Sequence, residues 1–411
     1  MRGAFRTPGF TRLFTGLAAS MLGDSVMLLV LSIWVKTLTG SNAMAGLTFF
    51  FMVLPAIFAP LLGIWVDRLP ARQVLVVGNL LSAVAVLPLV LVRGAGDVWI
   101  IWTVALLYGV SFVVLPAALN GLLKDLVPDD RLVDANASLQ TTKEGYRLVG
   151  PLVGAALFGW LGGWAVALVD AASFVVAAAV IATVPVREHR PERDDEPFWQ
   201  QLTAGVRFLA GDRVLKHVLV GFGAMVLVVG FLEASIYALL DAFGRPATFA
   251  GVLVAVQGVG AVAGGLASST VVRRLGEVGA LVVGMALLAV SVLVGALAPS
   301  IAVVMVAMVV VGVGLPLTFV PFMTLVQRRS PRALVGRVSA AVEVLMSTPQ
   351  AVSLAVGALL VGLLSYRAVF GIVAAAIALG AVWIAVALLG RATAGGPEEQ
   401  ASAAEDVPAA G

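Results

Sequence analysis

The sequence predicts an all-α integral membrane protein of twelve transmembrane helices, arranged as two pseudo-symmetric six-helix bundles. Three observations carry that prediction. Of the 411 residues, 61% are hydrophobic and only 12% are charged, against about 25% charged in an ordinary soluble chain. The apolar residues gather into runs close to the roughly 20 that cross a hydrocarbon core. Landmarks of the first half also return in the second at an offset of about 200 residues.

The first run follows Arg2, Arg6 and Arg12 and continues from Phe14 to Val35. It exceeds the apolar region of a signal peptide and carries no small-residue cleavage site, so it reads as a retained span. Spans 1 to 6 are expected at 12–35, 43–66, 74–92, 98–120, 137–158 and 163–184. Spans 7 to 12 follow at 216–239, 248–271, 278–297, 300–324, 337–363 and 367–389. This divides the chain into a bundle over 1–185, a linker over 186–215, a second bundle over 216–390 and a polar tail over 391–411. The linker is rich in Arg, Glu, Asp and Pro. Its second half, with Phe198, Trp199, Leu202, Val206, Phe208 and Leu209, has helical apolar spacing and is expected to lie along the membrane surface. The tail is rich in Ala, Gly, Pro and Glu, a composition expected to stay disordered.

Orientation follows from the basic residues. With the N-terminus in the cytoplasm, all of the 26 lysines and arginines except Lys36, Arg93, Arg245 and Arg367 fall in or beside cytoplasmic segments. The positive-inside tendency therefore places both termini in the cytoplasm. The repeat has several landmarks. Gly63 and Arg72 are echoed by Gly265 and Arg274, and Leu115-Pro116 by Val320-Pro321. Pro128 and Pro331 follow them, then Ala135-Asn136-Ala137-Ser138 and Val338-Ser339-Ala340-Ala341. Paired six-span halves are a secondary-transporter architecture, with the substrate site between them at mid-membrane.

Composition excludes other classes. There is no cysteine, which removes disulfides, thiolate metal sites and cysteine nucleophiles. The two histidines, His189 and His217, fall in the polar connector region, so no histidine metal site or triad is expected. Gly258-Val259-Gly260-Ala261-Val262-Ala263 fits the dinucleotide fingerprint as a string, but no strand precedes it and it lies within a span. No phosphate-binding loop of the Walker kind occurs, so an ion gradient is the expected energy source. No cofactor, metal, nucleic-acid partner or enzymatic activity is expected.

The motifs resemble a known family. Gly63-x3-Asp67-Arg68-x3-Arg72 resembles the loop 2–3 signature of the major facilitator superfamily, and Gly145 followed by Gly150-Pro151-x2-Gly154 resembles the span 5 motif of its exporters. Leu22-Gly23-Asp24, Leu126-Val127-Pro128, Ala135-Asn136-Ala137, Asp170-x2-Ser173-Phe174 and Gly336-Arg337-Val338-Ser339 are similar to stretches of the branch containing macrolide-efflux and enterobactin-exporter proteins. The resemblance covers about residues 5–390. It implies the fold of that superfamily and alternation between inward- and outward-open states. It also implies export of a drug or metabolite against proton entry across a bacterial plasma (inner) membrane.

Within that frame, Asp67, Arg68 and Arg72 are expected to hold the cytoplasmic side closed in one state. Asp67 would face the start of span 11 near Gly336–Ser339, where the helix dipole favours an anion, and Gly63 would let two helices approach. Ionisable residues inside spans are functional candidates because burying charge in hydrocarbon is expensive. They are Asp24 in span 1, Lys143, Glu144 and Arg147 in span 5, Asp170 in span 6, Glu233 in span 7 and Glu343 in span 11. A carboxylate that faces each compartment in turn can carry a proton if burial raises its pKa. Asp24 and Glu233 are the preferred coupling groups, because spans 1 and 7 line the central cavity in the resembling family. Glu144 and Arg147, three apart on a helix, can pair near the cytoplasmic gate. Structural pairing is an equally good account of any one of these residues.

Gly150-x3-Gly154 and Gly260-x3-Gly264 are small-residue faces that let helices pack or slide closely. Phe49, Phe50, Phe51, Trp102, Tyr108, Phe112, Tyr237, Phe319 and Phe322, with Asn120, Gln140 and Gln257, are expected to line an aromatic cavity suited to an amphipathic substrate. Span 4 departs from the family pattern, having Tyr108-Gly109 where many family antiporters carry an arginine; Arg147 could substitute. Lysophospholipid or solute transport on the same fold remains the alternative, and a receptor or scaffold role lacks the extra domain it would need. Two covalently joined bundles need no second subunit, so a monomer is expected.

Overall fold

The computed structural model describes residues 4–7, 9–66, 68–186, 198–331 and 334–389. Among them the regular structure is all helical. α1 (Phe10–Thr39) ends at Gly40, whose φ of 66° supplies the left-handed cap that closes the helix. α2 (Asn42–Val53) passes through a 3-10 turn, Leu54–Phe58, into α3 (Ala59–Val66). Pro55 opens that turn, since it has no N–H to continue the helical ladder. α4 (Ala71–Val86), α5 (Val98–Leu126), α6 (Asp129–Leu161) and α7 (Gly163–Ala182) complete the first half. α8 (Phe198–Gly211) is the linker helix, and residues 187–197 of the expected linker lie outside the described residues, as does the tail. The second half comprises α9 (Arg213–Ala242), α10 (Phe249–Leu297), α11 (Ile301–Arg329), α12 (Val335–Leu363) and α13 (Tyr366–Ile384).

Nine of the described helices are long and apolar enough to cross a bilayer, against the twelve expected. The difference has physical sources. Over the region assigned to spans 8 and 9, α10 is two helices that meet at a kink at Gly276, where φ is 70°, and together they count once among the nine. α2 and α3 are separately too short because the 3-10 turn divides them. α6 has the length, 33 residues, but its first half is polar.

Helix pairings repeat between the halves. α1 packs on α6 and α7 as α9 packs on α12 and α13, and α4 packs on α5 and α7 as α10 packs on α11 and α13. Of four buried apolar clusters, two draw only on residues before 187 and one only on residues after 208. The fourth mixes Leu29, Ile33, Ala45 and Ala155 with Tyr237, Leu240, Leu253 and Val304, and so joins the halves. Outside these cores, Trp160, Leu266, Leu363 and Leu379 stand exposed. A water-soluble protein would bury side chains of this kind; here lipid is their solvent.

Two ends can be distinguished by their bonds. At one, the basic end, Arg12 and Arg72 donate to the carbonyls of Thr183 and Val184 at 3.0 and 3.1 Å, and Arg329 bonds Asp212 at 3.0 Å. At the far end Lys36 of α1 pairs with Asp241 of α9 at 2.6 Å, and Asn42 donates to the same carboxylate at 3.1 Å. Close helix approaches between the halves lie toward the far end. Gly46 lies against Ala234 and Ala358, and Gly251 against Pro151 and Ala155, where an added Cβ would collide.

Candidate functional site

Three expected signatures meet in the middle of the first half. Asp24 stands midway along α1, Tyr108 along α5 and Asp170 along α7. The Tyr108 hydroxyl donates to Asp170 Oδ2 at 3.0 Å, and it also interacts with the Asp24 carboxyl. Asp170 is fully buried, and its Oδ1 has no hydrogen-bond partner. Gly23 makes the meeting possible, because a Cβ there would lie 2.5 Å from Asp170 Oδ1 and nearer still to Ser173 Oγ. Phe112 and Phe174 pack edge-on against the Tyr108 ring, with centroids 5.0 and 6.0 Å away. Lys143 of α6 contributes a positive charge near Asp24.

The span 5 motif seats α6 on α1 beside this group. A side chain at Gly150 would strike Ser25, and one at Gly154 the Val26 carbonyl, while the Ser25 hydroxyl donates to the Tyr146 carbonyl. Pro151 withholds a helical N–H at the same level. Gly145, by contrast, has nothing within 4 Å of an added Cβ.

In the second half Glu233 is partly buried on α9, and the charge that acts on it is Arg147 of α6. This corrects the expected Glu144–Arg147 pair. Glu144 instead accepts a hydrogen bond from Gln140, one turn back on its own helix, at 2.8 Å. Glu144 is thus bonded within its own helix, while the Arg147 charge is felt by Glu233 of the other half. Lys143, Glu144 and Arg147 are all exposed; charges at this depth do not face lipid, so their exposure marks a polar cavity. Glu343 is exposed on α12 two turns from its start, apart from the other acids.

The loop signature is met only in part. Asp67 lies outside the described residues. Arg68 is exposed, Arg72 reaches the end of α7, and Gly63 approaches no other helix among the described residues, since a Cβ there meets nothing of theirs within 4 Å. The echo at Arg274 does not reproduce Arg72. Arg72 follows the turn and enters α4, whereas Arg274 precedes the break at Gly276 and is exposed. In the second half the corresponding tie is Arg328 to Glu277. Several expected cavity aromatics are core residues: Tyr237 and Phe322 are fully buried, and Phe322 stacks on Phe222 at 4.0 Å. Tyr108, expected to line the cavity, is instead buried beside the two carboxyl groups. Its position in place of the family arginine was the available signal.

A polytopic helical membrane protein with ionisable groups at mid-depth in both halves has the makings of a transporter. The family model for the Major Facilitator Superfamily matches residues 13–353. The chain belongs to that superfamily, and it is a transporter rather than an enzyme. Among curated relatives, macrolide efflux protein A of Streptococcus pyogenes is 24% identical over 238 residues, 57% of each chain. The alignment thus spans little more than half that relative's length. An MFS-type transporter of Bacillus subtilis, YfiS, described as uncharacterized, is 25% identical over 351 residues, 82% of each chain. Among solved structures, nucleoside transporter NupG superposes with a TM-score of 0.73 at 14% identity, covering 92% of this chain and 98% of that one; this likeness concerns the fold.

Proposed function

We propose that this protein is a secondary active exporter of an amphipathic drug or secondary metabolite, driven by proton entry and working by alternating access. The observation that carries the reading is the meeting of charge across the halves. Arg147 of the first half acts on Glu233 of the second, and Gly150, one turn further along α6, abuts Ser25 beside Asp24. A carboxyl group whose surroundings change as the halves move gains and loses a proton in step with them. The bundles over 1–185 and 216–390 are the moving bodies, with the far end closed by the Lys36–Asp241 bond. Both termini are read as cytoplasmic, in a bacterial inner membrane and in a monomer. The efflux relative at 24% identity supports export, without fixing the cargo.

The test is efflux from energised cells challenged with macrolides, chloramphenicol-like drugs, dyes and siderophores, with and without an uncoupler. Asp24→Asn and Glu233→Gln are each expected to lower uncoupler-sensitive efflux about tenfold or more at unchanged protein level, as for loss of a group acting in proton transfer. Full efflux in both variants removes the coupling role. Transport of labelled lysophospholipid in vesicles, with no drug efflux, would instead select the alternative cargo.

A further inference from the structure

Oxygen atoms of α7 crowd the α1 backbone at Gly23. Asp170 presents Oδ1, fully buried and met by no hydrogen-bond donor, while its Oδ2 is taken by Tyr108. Ser173 Oγ faces the same point from one turn further along α7, having given its proton to the Asp170 carbonyl at 2.7 Å, so its lone pairs are what it offers. The Asp24 carboxyl, next in sequence to Gly23, closes the group and acts electrostatically on Asp170. A fully buried carboxyl with a second, partly buried one acting on it needs compensation, because a buried acceptor without a partner costs the desolvation it has lost. A proton on Oδ1, donated to the Ser173 lone pairs, is the competing way to meet that need, and it is what a failure to bind sodium would select.

We propose that Asp24, Asp170 and Ser173 form a binding site for a small monovalent metal cation of the sodium class. The ligand set is all oxygen, without nitrogen or sulfur, and such a set suits hard cations. The charge count selects the valence. Asp24 and Asp170 supply two negative charges and Lys143 returns one positive charge near Asp24, so one positive charge neutralises the group. The site makes sodium a second ion at the position read above as a proton-coupling point; only the consequence for transport rests on that reading, since binding is measured without it.

The experiment uses the full chain purified in detergent, in mildly alkaline buffer, with choline chloride holding ionic strength constant. Radiolabelled sodium is expected to bind saturably and to be displaced by unlabelled NaCl. NaCl is also expected to raise the melting temperature relative to choline chloride, as any ligand of the folded state does. Asp170→Asn is expected to abolish binding, and Ser173→Ala, which leaves the Tyr108 bond intact, to weaken it about tenfold. Both variants are checked for monodispersity. Absence of saturable sodium binding, undiminished binding in both variants, or preference for CaCl2 over NaCl overturns the assignment. Uncoupler-sensitive export that persists without sodium, from a protein that binds none, overturns it while leaving the export reading intact. Sodium binding by a protein that exports nothing supports it and counts against export instead.

Discussion

Tyr108 is worth more to this molecule than an aromatic cavity wall. Its ring is held by Phe112 and Phe174, and its hydroxyl spends its one proton on Asp170 while facing Asp24. Tyr108→Phe keeps the ring and removes only the hydroxyl. The folded yield should stay near that of the parent, while efflux should fall about tenfold; unchanged efflux would show that the two carboxyl groups work without the link. Each piece of this group was legible as a motif: Gly23-Asp24, Tyr108-Gly109 and Asp170-x2-Ser173. Their convergence was not, because it depends on which faces of α1, α5 and α7 turn toward one another. A helix apolar on nearly all sides gives no periodicity from which to read that face.

Among the helices, α9 shows how the basic end is fastened. Asp212 caps it, accepting from the Leu215 N–H at 2.9 Å and pairing with Arg329 of α11 at 3.0 Å. Partial burial works against its ionisation, but those two donors outweigh it and hold the carboxyl below its ordinary value. A depressed carboxyl pKa stabilises the fold above the unfolded-state value and loses that contribution as pH falls through the folded value. The melting temperature should therefore drop below about pH 4. Asp212→Asn should flatten that acid limb while keeping the cap, and Asp212→Ala should cost about 1 kcal/mol at neutral pH as well. Thermal melts of the purified variants across pH decide both. The Gly63–Arg72 echo at Gly265–Arg274 is the counter-example at this scale. Matching spacing suggested matching roles, yet the break at Gly276 falls after Arg274, whereas the turn falls before Arg72. Spacing counts residues and does not record where a helix stops.

For the whole molecule, composition and run length were enough to read a helical membrane protein, since lipid leaves few other ways to satisfy the backbone. The number of spans was less readable because α2–α3 bend at Pro55 and α6 is half polar. Proximity between the halves was not readable at all. Asp241 is the shared acceptor of Lys36 and Asn42. Asp241→Ala should let the far end part more often. The chain has no cysteine, so Thr39→Cys and Phe243→Cys introduce a unique label pair across that end. The distance distribution between the labels should gain a longer component when Asp241 is replaced, and an unchanged distribution would deny the bond a latching role.

The cluster that joins the halves has a thermal consequence. Parting the far end wets Leu29, Ile33, Leu240, Leu253 and Val304 together, and exposing apolar surface to water raises heat capacity. Apolar association weakens on cooling, so the parted form should become more populated in the cold. The same label pair, read at descending temperatures, should report a growing long-distance fraction. Such a transporter would be held shut at its far end by warmth as well as by charge.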